Sequence, residues 1–391
     1  MQLSYKVSST YFVRIIIVTF ILSFLISFNL WGNNRSFPLF PVFSVDFEID
    51  WIHKIVQYGF LVIASICFVF PKKLIIRSML IILVLLIFLD QLRLQPWVYF
   101  LSICLIPFAF KSKESSSLQY LRIIFILVYI WSGIQKLNPN FIPFIFESIL
   151  VDGFNLRGIE IISTIKKFGI IFPITEISIG ILLLLNRTRK IGVLLIVITH
   201  IFILYYLIFG LKGNYVIIPW NIFMIIGAFL LFYQKKDTLK IPKKSFLKIT
   251  LLIVAFLPIG YLMGEVDQRV SFSLYDGKLK SLYLLESKTQ ENLVNLDKRL
   301  VKKGSIKDFN AWSFSEMNVP FYPENRFIRQ LQLSDIDSEK NYLLTEIPLW
   351  RRNLLGYYKT IDELKKYQVL DSIENIVFTE SLYFPAFKII K

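Results

Sequence analysis

Few side chains in this sequence could do chemistry, and those few sit in apolar surroundings. The first lie in the run Tyr129-Ile130-Trp131-Ser132-Gly133-Ile134-Gln135-Lys136-Leu137-Asn138-Pro139. Helical spacing puts Arg122, Phe125, Tyr129, Ser132, Gly133 and Lys136 on one face, and Pro139 stops the helix just beyond. An amine partly withdrawn from water loses basicity and becomes a usable base at neutral pH. The small residues Ser132 and Gly133 admit either a neighbouring helix or a flat ligand close to the backbone. The plainer alternative for Lys136 is a side chain that snorkels to the interface.

Glu176 falls near the middle of an apolar span and shares a face with Gly169, Pro173 and Gly180; His200 falls near the middle of the next span. Ionisable groups at membrane depth need partners. A Glu176–His200 contact is therefore expected, either as acid–base machinery or as a structural hydrogen bond. Asp90 and Arg93, three residues apart in a turn, can pair, with Trp97 at the headgroup level. Pro219-Trp220-Asn221 opens a later span, where an interfacial tryptophan is the bland reading. Asp90, Lys136 and Trp220 fall in one half of the membrane, so an outward-opening cavity would collect them with Glu176 and His200. Lys136, His200 and Glu176 are the catalytic candidates. Tyr129, Ser132, Gly133, Asp90, Arg93, Trp220 and Asn221 are the substrate-binding candidates. No metal set is expected, and Arg14 and His53 read as boundary residues without a role.

The elements that must position these residues follow from composition. Of 391 residues, 55% are hydrophobic and 18% charged, with mean hydropathy +0.58. A soluble protein carries roughly a quarter of its residues charged. The apolar residues come in blocks of about twenty, enough to cross a hydrocarbon core of about 30 Å. Nine spans are predicted: Tyr11–Leu30, Trp51–Phe70, Leu74–Asp90, Gln95–Phe110, Gln119–Lys136, Lys167–Leu185, Lys190–Gly210, Tyr215–Tyr233 and Phe246–Gly264. The opening block exceeds the length of a signal-peptide core and reads as a retained first helix. Cys67 and Cys104, the only cysteines, both lie in apolar blocks, which leaves no disulfide framework or dithiol motif.

The net charge is +16, from 44 Lys+Arg against 28 Asp+Glu. It is gathered in short clusters between spans, which fits topogenic charge and lipid headgroups better than nucleic acid. Alternate connections at Pro71–Lys73, Lys111–Lys113, Asn186–Lys190 and Gln234–Lys244 are basic; the opposite set includes Asp46–Asp50, Asp90–Gln95, Asn138–Lys166 and Leu211–Asn214. This asymmetry puts the N-terminus inside and the C-terminus outside. Segment Phe141–Lys166 reads as interfacial, anchored by Phe141, Phe144 and Phe146. The tail alternates like a strand pair at Val270–Tyr275 and Leu279–Leu285, then turns helical at Glu291–Lys303 and Thr360–Tyr367. The expected fold is an all-α polytopic membrane bundle over residues 1–264 with a small α/β extracytoplasmic domain over 265–391, in the cell membrane.

The run from Tyr129 through Lys136 to Phe141 resembles the tract around the catalytic lysine of vitamin K-dependent γ-glutamyl carboxylases. It is equally similar to the tract of their bacterial relatives, the horizontally transferred transmembrane (HTTM) domain proteins. The stretch from Thr199-His200-Ile201 through Asn214 to Pro219-Trp220-Asn221 resembles the same family's histidine-bearing helix, and DoxX-like proteins share a looser Gly133–Lys136 pattern. The resemblance spans residues 75–235. It implies an outward-facing pocket for a reduced quinone, with Lys136 as the base that deprotonates it and His200 as a second polar group. Gln135 stands where the carboxylases have another lysine, and the tail is far shorter than theirs, so glutamate carboxylation is not expected.

Three readings compete. One is an enzyme acting on a membrane quinol or lipid. Another is a non-catalytic membrane scaffold whose outer domain holds a protein partner, with Trp312, Phe314 and the run Asn318–Glu324 as contacts rather than core and turn. The last is a proton-coupled transporter relaying through Glu176 and His200.

Overall fold

Apolar blocks cannot leave backbone groups unpaired in lipid, so they close their hydrogen bonds within helices. The computed structural model describes residues 9–42, 50–110, 113–138, 141–156, 159–211, 213–233, 237–263, 265–273, 275–276, 280–285, 306–322, 324, 326–327, 330–331, 341–346 and 386–390. The helices among them are α1 (Ser9–Ile26), α2 (Phe28–Trp31), α3 (Asp50–Val69), α4 (Lys73–Leu89), α5 (Pro96–Ala109), α6 (Glu114–Lys136), α7 (Ile159–Lys166), α8 (Ile171–Leu184), α9 (Arg189–Tyr205), α10 (Ile218–Ala228), α11 (Ser245–Leu262) and α12 (Phe309–Met317). Wider π-helical turns extend α9 through Tyr206–Leu211 and α10 through Phe229–Tyr233.

Among the described residues, seven helical segments have the length and apolar composition to cross a membrane: α1, α3, α6, Ile161–Leu184, Arg189–Leu211, Tyr215–Tyr233 and α11. The protein is a multi-pass membrane protein. Of the nine expected spans, α4 and α5 fall outside this set. The 14 residues of α5 rise only about 21 Å, short of the hydrocarbon thickness. The two form one hairpin, so both counts are odd.

The chain divides into two compact units. The first takes residues 1–135, 170–274 and 317–319; the second takes 136–169, 275–316 and 320–391. In the first, α6 and Tyr215–Tyr233 bury more than half of their residues, whereas α3, α8 and α11 bury little over a quarter. α6 and α10 are thus the middle of the bundle. The outer helices turn apolar stripes away from it, such as Ile191, Leu194, Ile198 and Ile201 on α9. α1 packs on α3, α5 and α10, and α9 packs between α8 and α10.

Contacts between connecting segments in this unit gather at two ends. At one, Val42 N–H donates to Phe88 O, Gln91 N–H to Phe40 O, Arg269 Nη1 to Gln91 O and Gln135 Nε2 to Ser271 O. At the other, Ser9 N–H donates to Glu114 Oε1, Arg14 caps α3 through Phe68 O, and Arg122 pairs with Asp237. The second end holds the basic loops.

The second unit contains a four-stranded antiparallel sheet in the order β2-β1-β3-β4, with β1 Lys280–Leu285, β2 Ile306–Asp308, β3 Asn341–Glu346 and β4 Ala386–Ile390. Register sets Tyr283 opposite both Asp308 and Leu343. The expected strand Val270–Tyr275 does not form. Gln268–Val270 is a 3-10 turn, and Phe272 and Tyr275 have φ of 57° and 54°, which no extended ladder accepts. The expected helices Glu291–Lys303 and Thr360–Tyr367 lie outside the described residues.

Two interfacial anchors are also corrected. Phe141 and Phe146 are buried within the second unit, where Phe146 fills the space against Gly169; the side chain of Phe144 lies outside the described residues.

Candidate functional site

The middle of the first unit is polar at one level. Tyr129 Oη on α6 lies 2.7 Å from His200 Nε2 on α9, and His200 Nδ1 lies 2.7 Å from Asn221 Oδ1 on α10. Asn221 Nδ2 donates at 2.8 Å to Ile217 O, one turn back on its own helix. This last bond orients the amide, so its oxygen faces the imidazole. His200 Nδ1 therefore carries the proton and donates, leaving Nε2 as the acceptor for the Tyr129 hydroxyl. All three side chains are buried, and the Tyr129 and His200 rings meet edge to face at 6.0 Å. His200 is thus reached by Tyr129 on one side and Asn221 on the other. Chemically, the chain can hold one proton in a fixed direction and tie three helices together.

Small residues bring the helices this close. A Cβ on Gly133 would meet Pro173 O and Ile177 Cγ1 at 2.7 Å, and one on Gly180 would meet Ile130 Cγ1 at 2.4 Å. Of the two uses open to Gly133, the neighbouring helix α8 takes the space. Gly227 on α10 does the same toward the ring of Phe125 on α6, at 2.6 Å. Trp220 is 6% exposed and packs on Phe100 at 5.5 Å, so it is a bundle residue rather than an interfacial one. Ser132 is half-buried on α6 beside Gly133.

Asp90 and Arg93 form a separate node. Asp90 Oδ2 pairs with Arg35 Nη2 at 2.5 Å and stands 3.9 Å from Arg93 Nε, while Oδ1 accepts the backbone amides of Phe40 and Leu92. Arg93 donates to Leu30 O, Leu86 O and Gly32 O, and to His53 Nδ1 at 3.1 Å. A guanidinium can only donate, so His53 Nδ1 is unprotonated and its proton sits on Nε2. Burial pushes Arg93 down to about 10, with Asp90 opposing and Arg35 adding to the shift, so it stays cationic at neutral pH. The expected Asp90–Arg93 pair exists but is secondary to Arg35–Asp90. Trp97, expected at the headgroups, is 1% exposed and packs edge-on to Phe20 and Trp31.

Two residues of this node were missed from sequence. His53 read as a boundary residue, and Arg35 drew no notice. Their signal was available: a histidine and an arginine at the ends of apolar blocks that already contain an acid–base turn.

Lys136 ends α6 and is 8% exposed, in the second unit. In that unit Asn138 Nδ2 donates to Asp276 O, and Lys166 pairs with Glu147. Trp312 donates through Nε1 to Glu316, while Phe321 is buried; Val319, of the first unit, is buried too. Asp308 caps α12 by accepting Asn310 N–H at 2.8 Å; burial raises its carboxyl, against the pull of that amide and of Ala311. Among the described residues no group of three His, Cys, Asp or Glu could hold a metal ion.

A short stretch of the chain has a known counterpart. Residues 114–219 match the family model described as methylamine utilisation protein MauE. The match begins at the first residue of α6 and ends at Pro219, so it contains Tyr129, Lys136, Glu176 and His200. No curated protein and no solved structure matches the chain. The finding overturns the resemblance to the carboxylases, HTTM proteins and DoxX-like proteins. That resemblance rested on a short lysine-bearing tract and a histidine helix, whereas the MauE match runs from the start of α6 through α7, α8 and α9 to the second residue of α10. The quinol expected from the resemblance loses its warrant with it.

Proposed function

We propose that this protein crosses the cell membrane an odd number of times, N-terminus inside and C-terminus outside, and serves a protein partner at the outer face through its second unit. In this reading the buried polar side chains set the bundle and carry no reaction. The observation behind it is their mutual satisfaction: Tyr129, His200 and Asn221 fill one another's hydrogen bonds, as do Arg35, Asp90, Arg93 and His53. Buried polar groups paired this way fix helix register and orientation.

The topology is supported by the two sets of loop contacts, which join like-numbered ends, and by the odd number of crossings on either count. Loop 136–169 and the tail share one compact unit, which favours the same side of the membrane for both. Carried over from the matched family, the process served would be methylamine utilisation. The test is photo-cross-linking from the second unit in intact cells. An outer-face protein captured equally by the native chain and by Lys136→Ala supports the reading; capture of nothing opposes it.

The low exposure of Lys136 favours a second reading, since lysine is rarely buried without a purpose. There Lys136 would be a base toward a membrane-borne ligand, with His200 and Glu176 as helpers. A phenotype lost in Lys136→Ala and in Lys136→Gln, with folding and cross-linking intact, would select it.

A further inference from the structure

At the basic-loop end of the first unit the arginines beside α3 and α4 are already committed. Arg14 donates to Phe68 O and Val69 O at the end of α3. Arg77 Nε donates to Ala109 O at 2.7 Å and lies over the Phe110 ring. Lys73, the first residue of α4, has no ion pair or side-chain hydrogen bond among the described residues. It lines a cavity of about 160 Å³ whose wall combines Ser9, Glu114 and Ser117 with the apolar Ile76 and Phe108. By volume this has room for a phosphate group with some of its ester carbons, since one water needs about 10–15 Å³ of such space.

Charge and shape select the ligand together. α4 and α6 begin at this cavity, and helix starts favour an anion. Lys73 adds a full positive charge. Glu114, however, would repel a free dianion, while its carboxylate could receive an ammonium. The apolar part of the wall suits ester and acyl carbons, and the neighbouring Leu74 and Ile81 face outward on α4. We infer that this cavity binds the headgroup of a phospholipid from the leaflet facing the basic loops, with its phosphate at Lys73 and an ammonium group at Glu114. The inference needs only membrane residence and stands apart from the role of the second unit.

The test uses the full chain, purified in detergent and stripped of lipid. Phosphatidylethanolamine and phosphatidylglycerol of equal chain length are added, and bound lipid is read by native mass spectrometry. The expected result is one retained phosphatidylethanolamine, with occupancy reduced about tenfold in Lys73→Gln and kept in Lys73→Arg. Glu114→Gln should erase the preference over phosphatidylglycerol. Thermal melts check that each variant folds, and Lys73→Arg separates lost charge from lost packing. Unchanged occupancy in Lys73→Gln overturns the inference. So does full displacement of lipid by inorganic phosphate, which would assign the cavity to a soluble anion.

Discussion

Replacing His200 with alanine removes the partner of two buried groups at once, the Tyr129 hydroxyl and the Asn221 carbonyl. Each orphaned group costs about 1–3 kcal/mol. A melt in detergent should show a loss of several kcal/mol, against about 1 kcal/mol for Tyr129→Phe, which leaves Nε2 alone unfilled. If the three act as a unit, His200→Ala and Tyr129→Phe combine less than additively. Asp90→Ala should be harsher, because it strands Arg35 and Arg93 without their shared counter-charge; breaking a buried pair costs about 3–5 kcal/mol. The expected readout is loss of folded, inserted protein. At this scale the sequence reading found the polar residues but not how Tyr129, His200 and Asn221 pair. All three were marked, because polar groups in apolar runs stand out. That Tyr129 and Asn221 would both reach the histidine depends on helix rotation, which spacing along one helix does not determine.

Helix packing carries the next set of consequences. Gly133→Leu drives a side chain into the α8 backbone at Pro173 and should separate α6 from α8, weakening the Tyr129–His200 bond from a distance. Overpacking of this kind costs about 1–3 kcal/mol. A cysteine cross-link between α6 and α8 that forms in the native chain should fail in the variant. At the opposite loop end, Asp237 is held below the usual carboxylate range. Burial alone would raise it, but the hydrogen bond and charge of Arg122, its own backbone amide and the charge of Arg189 outweigh that. A depressed carboxyl stabilises the fold above its unfolded value of about 3.9 and loses that contribution as pH falls through the lower folded value. The native chain should therefore outlast Asp237→Asn near neutrality, and the difference should vanish in acid below about pH 3. Asp237 is half exposed, so the effect is modest. Most helices were legible from hydropathy alone. The turn at Gln268–Val270 and the positive φ at Phe272 just after it were not, since neither gives a distinct sequence signal.

Over the whole molecule, basic loops alternate with acidic or mixed ones, which is the basis of the proposed topology, while the composition of the two units left no such trace in the sequence. Lys136 to Gly169 groups with the tail, and residues 265–274 group with the helices, although neither grouping leaves a mark on hydropathy. Both native cysteines are buried, which leaves the chain quiet for labelling. Single cysteines at Ser315 and Lys240 should react oppositely with an impermeant maleimide in intact cells: Ser315 labelled, Lys240 protected until lysis. The most direct measurement of the account is photo-cross-linking from position 312 of α12 in intact cells, comparing the native chain with Lys136→Ala. One outer-face protein captured to the same extent by both is the predicted result. No capture, together with loss of the cellular phenotype in Lys136→Ala, would contradict it.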